Sequence, residues 1–170
     1  RSYLYRTSFT GRRTIIAKLD AILAQLMARI GDGVLVKGET GIGKTRLIVE
    51  FGRYARNNGF FVLAGECSSL EIRKSKSSHG SSGIWFQGFL KPLQTIGDYC
   101  REKGEAITRK VFTGTLQWLI SYEPSLHDLP GMNEQPKKHN MNPRDALNHL
   151  YYAMTRVFIR FSKLKRTIII

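Results

Sequence analysis

Residues 38–45 read Gly38-Glu39-Thr40-Gly41-Ile42-Gly43-Lys44-Thr45 and fit G-x-x-x-x-G-K-[ST] at every fixed position. No other feature narrows the fold as far. The pattern demands a strand before it and a helix after it, and both are legible. Gly33 and the apolar run Val34-Leu35-Val36 precede the loop, and Leu47, Ile48, Phe51, Tyr54 and Ala55 follow at helical spacing. Glycines admit backbone conformations closed to other residues and let the chain approach a ligand closely. Successive loop N–H groups at a helix N-terminus then form a concave site for an anion. In this pattern Lys44 reaches the β- and γ-phosphates of a nucleotide, and the Thr45 hydroxyl ligates Mg²⁺. Glu39, Thr40, Ile42 and Arg46 complete the segment expected to wrap the phosphates.

The chain has 170 residues, about one domain. Its 42% hydrophobic content supplies a core and excludes global disorder. No apolar run reaches the length of a membrane span, and no signal-peptide core follows the N-terminus. Cys67 and Cys100 lack metal or redox spacing and read as reduced thiols of a cytoplasmic protein. The net charge of +14 is dispersed in short clusters at 12–13, 73–76, 137–138 and 163–166. It reads first as a solvated surface suited to a polyanionic nucleotide. Nucleic acid is a second, less favoured partner, since no aromatic-interleaved basic motif of an RNA-binding kind is visible in the linear sequence.

Along the chain, the spacing of Ile15, Ile16, Leu19, Ile22, Leu23, Leu26 and Ile30 predicts a helix over 14–30, ended by Gly31-Asp32-Gly33. A strand at 34–37, the loop, a helix over 44–57 and a buried strand at 60–64 follow, giving a right-handed βαβ crossover. Residues 66–83 form a polar Ser/Gly-rich loop, in which His79 reads as solvated. Helices are predicted over 84–99 and 105–121. Residues 122–143 hold four of the five prolines and read as an irregular insertion. Asn142-Pro143 opens a last helix as cap and first-turn proline. That helix feeds a β-branched run, Thr167-Ile168-Ile169-Ile170, read as a parallel strand buried on both faces. Both ends look cut, so the expectation is a piece of a longer protein.

Strands alternating with helices predict an α/β fold: a three-layer αβα P-loop NTPase core with a mostly parallel sheet, truncated at its third core strand. The expected organisation is a single domain over 1–170, the N-terminal part of a nucleoside triphosphate-binding core.

Phe9-Thr10-Gly11-Arg12-Arg13 ahead of an amphipathic helix resembles the F-x-G-R opening of the STAND branch of AAA-like P-loop ATPases. The 38–47 segment is similar to that family's G-E-x-G-I-G-K-[ST]-R-L loop, with Glu50-Phe51 in the following helix. Ala64-Gly65-Glu66-Cys67 and the aromatic cluster from Trp85 to Leu90 resemble its second strand and next helix. The 126–131 segment resembles its short acidic-and-leucine stretch. The resemblance covers nearly the whole chain. It implies ATP or ADP and Mg²⁺ as ligands, Lys44 as the catalytic residue, Thr45 at the metal, and Gly11 and Arg12 against the adenine. It also implies a regulatory role beside cyclase, kinase or helical-repeat domains. Such proteins continue the third core strand into an acidic pair that supports Mg²⁺ and activates water. The strand ends here before any such pair, and Glu123, Asp128 and Glu134 lie in the irregular insertion. Nucleotide binding is therefore expected, with hydrolysis belonging to the intact protein. Two other classes stay open: an origin-recognition-like ATPase acting on DNA, and a small-molecule kinase.

Overall fold

The computed structural model describes residues 13–28, 31–67, 86–133 and 142–170. Gly11, Arg12, His79, Glu134 and most of the polar 66–83 loop lie outside the described residues. The chain forms two compact units, Arg1–Val62 and Leu63–Ile170.

In the first unit, α1 (Arg13–Met27) buries Leu19 and Leu23, the centre of the apolar stripe read from the sequence. Helix α2 (Lys44–Asn57) has the bounds that the spacing predicts, and it buries Leu47, Gly52 and Ala55. It ends where Asn58 donates its N–H to the Tyr54 and Ala55 carbonyls, each at 3.1 Å. The Phe60 N–H then returns to the Ala55 carbonyl at 3.1 Å and reverses the chain. Helices α1 and α2 pack on each other.

Residues 34–37 correct the expected strand. They form no regular element, and Val34 and Leu35 are 52% and 77% exposed. Apolar composition favours extended backbone, but a strand exists only through a ladder of partners. Among the described residues nothing pairs with this segment, so the expected βαβ crossover is not formed either.

Strand β1 (Phe61–Leu63) crosses from the first unit into the second and is shorter than the 60–64 strand expected. It pairs with β2 (Thr167–Ile169). Ile170 donates its N–H to the Leu63 carbonyl at 2.8 Å and accepts from the Gly65 N–H at 2.7 Å, a parallel ladder. The sheet has two strands among the described residues, where three are expected. Ile168 is buried while Ile169 is 44% exposed, so β2 is covered on one face rather than two.

The second unit is mostly helical. Helix α3 (Gln87–Lys103) carries Pro92 inside it and runs four residues beyond the expected end. The predicted 105–121 helix is broken into α4 (Glu105–Phe112) and α5 (Leu116–Leu119). Gly114 takes φ +72°, which no α-helix accommodates. Arg160 then donates to the carbonyls of Val111 at 3.2 Å and Thr113 at 2.7 Å, groups the break leaves over. Of the 122–143 stretch, residues 122–133 are described and carry more regular structure than expected. Pro124–Asp128 is a 3₁₀ turn, and Leu126, Leu129 and Met132 are buried. Glu123 caps that turn from a buried position, accepting from the Ser125 N–H at 3.1 Å and from Gln94 Nε2 at 2.9 Å. Helix α6 (Pro143–Leu164) starts as predicted, with Asn142 Oδ1 accepting from the Asp145 N–H at 2.8 Å. Leu93, Ile96, Val111, Phe112, Leu116, Leu126, Val157 and Phe161 close the core of this unit with no exposed surface. Among the described residues no helix is long and apolar enough to cross a membrane.

Candidate functional site

The candidate site lies wholly in the first unit, where the glycine loop runs into α2. Gly41 and Gly43 have φ of +85° and +90°. This left-handed backbone is nearly free for glycine and strained for other residues, so the spacing of the two glycines fixes the loop's path. Gly43 is the N-cap of α2, and the Leu47 N–H donates to its carbonyl at 3.0 Å to close the first helical turn. A Cβ on Gly38 would lie 3.2 Å from Ile42 Cγ2, so the loop folds tightly over its own isoleucine. Above Gly41 there is open space for 4 Å.

Lys44 bends back over the loop. Its Nζ donates to the Gly38 carbonyl at 2.9 Å and the Glu39 carbonyl at 2.8 Å. The ammonium is thus held against the loop backbone by the loop itself. Helix α2 has no side-chain cap and no acid in its first turn. The dipole and N-terminal N–H groups of the helix are therefore not countered by an acid of its own first turn. Thr45 and Arg46, second and third in the helix, are exposed, as are Glu39, Thr40 and Ile42.

These groups fit a polyphosphate: two left-handed glycines, an uncapped helix N-terminus and an ammonium across the loop. The Thr45 hydroxyl fits a hard cation as one oxygen ligand, the others coming from phosphate and water. Among the described residues no cluster of three His, Cys, Asp or Glu side chains could hold a metal by itself.

The sequence reading missed one feature of the site. A cavity of about 460 Å³ opens beside the loop, walled by Ile15, Leu19 and Ile22 of α1 and by Val34, Ile42 and Lys44. The run 34–36, expected inside a sheet, forms one side of it. Periodicity assigned α1 its apolar stripe but carried no sign that part of the stripe would face an open groove.

A G-x-x-x-x-G-K-T loop wound into a helix N-terminus with its lysine folded over it defines a P-loop nucleotide-binding protein. The chain matches the AAA ATPase domain over residues 8–170 and belongs to that family. Neither a curated protein nor a solved structure matches it.

Proposed function

We propose that this chain is an ATP-binding switch of a cytoplasmic signalling protein, with ATP and Mg²⁺ as ligands and nucleotide state as its output. The observation that carries the reading is Lys44, anchored on Gly38 and Glu39 across a loop whose two glycines are left-handed. Membership of the AAA ATPase family supports it. In this reading the N–H groups from Gly41 to Thr45 hold the β-phosphate, and Lys44 neutralises the β- and γ-phosphates. Thr45 holds the metal, while Gly11 and Arg12 flank the adenine. Turnover at such loops rests mostly on positioning and charge stabilisation, and Lys44 supplies the charge. A three-layer αβα core, the STAND branch and neighbouring cyclase, kinase or helical-repeat domains belong to the same proposal.

Calorimetry with ATP and Mg²⁺ tests it. A hydrogen bond to a charged group contributes about 1.5–3 kcal/mol, so Lys44→Ala is expected to weaken ATP about 10- to 150-fold. Thr45→Ala is expected to keep metal-free binding and lose its enhancement by Mg²⁺. A Lys44→Ala variant that binds ATP as tightly as the parent would refute the assignment of the loop.

A further inference from the structure

Basic and aromatic residues stand together along α6. Its buried face is Leu150, Ala153, Met154, Val157 and Phe161. Opposite, at spacings of three and four, lie Arg144, Asn148, Tyr152, Thr155, Ile159 and Ser162, all exposed. Tyr151, Arg156 and Lys163 widen that face. Tyr151 and Tyr152 are 62% and 53% exposed, and the Tyr151 ring also tilts against Phe86 with centroids 6.2 Å apart. The Arg156 guanidinium sits 5.5 Å from the centroid of the Tyr152 ring. Arg144, Arg156 and Lys163 have no acidic partner among the described residues, and Asp145 is the helix's one acid.

Charge and chemistry narrow the occupant. A second copy of a chain with net charge +14 is repelled from a cationic face. Asn148, Thr155 and Ser162 interrupt Tyr152 and Ile159 along the face, so it lacks the continuous apolar seam of a helix–helix pair. What matches is an anion with flat apolar faces and hydrogen-bonding edges. Cations that track a backbone, with exposed aromatic rings between them, form a stacking platform for single-stranded nucleic acid. We infer that the outer face of α6 binds single-stranded nucleic acid, with Arg144, Arg156 and Lys163 at the phosphates and Tyr151 and Tyr152 beneath the bases. From Arg144 to Lys163 the helix rises about 28 Å, room for about four nucleotides, at the low end of known single-strand sites. The face lies on the second unit, outside the glycine loop, so the two sites are separable by mutation.

Fluorescence anisotropy of labelled rU12 and dT12 with the intact chain is the test. Binding of either is expected at 50 mM salt, weakening with log-log slope about −2 for three phosphate contacts on a single strand. Tyr152→Ala/Arg156→Ala is expected to weaken it at least tenfold. Arg109→Ala/Lys110→Ala, an exposed basic pair on α4, is expected to bind like the parent. Three results would overturn the inference: no binding at 50 mM salt, unchanged affinity in the α6 double variant, or displacement by polyglutamate as effective as by unlabelled oligonucleotide. The last would make the occupant an acidic protein.

Discussion

Replacing Gly65 with alanine would build a methyl group into the Gly88 carbonyl oxygen, well inside van der Waals contact. The new Cβ would also lie 2.9 Å from the Gly88 carbonyl carbon and 3.3 Å from Pro92 Cγ. The obstruction is backbone, in the first turn of α3, so no side chain can swing away. Gly65 cannot retreat freely either, because its N–H donates to the Ile170 carbonyl at 2.7 Å in the β1–β2 ladder. Overpacking of this kind costs about 1–3 kcal/mol, and a backbone-on-backbone collision belongs at the upper end, about 3 kcal/mol. In a chain of this size each kcal/mol lowers Tm by about 2–4 °C, so a fall of about 6–12 °C is expected. Two comparisons isolate the cause. Gly88→Ala meets the Cys67 Sγ at 2.9 Å, a side-chain atom that can rotate away, and is expected to cost less. Gly33→Ala meets nothing within 4 Å and is expected to change stability by less than about 0.5 kcal/mol. Melts followed by circular dichroism, with a urea titration to check that the m-value holds, read all three. If Gly65→Ala melted within about 2 °C of the parent, or Gly88→Ala lost more, the close approach of β1's end to α3 would be wrong.

The two cysteines should separate in a thiol titration. Cys67 is exposed and is expected to react with a disulfide reagent in the folded chain, while buried Cys100 reacts only on unfolding. Burial pushes the Cys100 thiol up to about 11, against the weaker opposing effects of the Thr108 hydrogen bond and Arg101. A folded value above the unfolded one means its stabilisation is complete below about pH 9 and is lost as pH rises toward 11, so Tm at pH 10.5 should fall below Tm at pH 8. Glu123→Ala strands Gln94 Nε2 and the Ser125 N–H beside a cavity, and thermal melts should register a loss of about 1–3 kcal/mol.

Particular residues explain how much of this was legible. The bounds of α2 follow from Gly43 before it and Asn57-Asn58-Gly59 after it, signals local to the chain. The start of α6 follows from Asn142-Pro143 for the same reason. The loop's residues and their order are equally local, and its left-handed Gly41 and Gly43 stand where the pattern puts them. What failed was relational. The apolar run 34–36 says that backbone prefers to extend, but which strand pairs with it is not encoded within four residues. The break at 113–115 depends on Gly114 adopting positive φ, with Arg160 from another helix meeting the carbonyls left over. Leu126 and Leu129 read as part of an irregular insertion because the residue they lie against, Gly97, belongs to another element. Arg144, Arg156 and Lys163 are spread along α6 rather than contiguous, so a run of charge in the sequence does not mark that face.

The grip of Lys44 on Gly38 and Glu39 bears on how the loop waits. An ammonium satisfied by two neutral carbonyls holds the loop wound, so in the proposed binding little ordering entropy would be left to lose. In the proposed complex with a triphosphate, the amine would exchange its carbonyl partners for anionic ones, a movement of one side chain with the backbone already set. On that proposal Lys44 would serve both as a brace of the loop and as a counter-charge to the phosphates. An affinity lost on its removal contains both contributions, and amide exchange in the ligand-free loop would weigh the first alone.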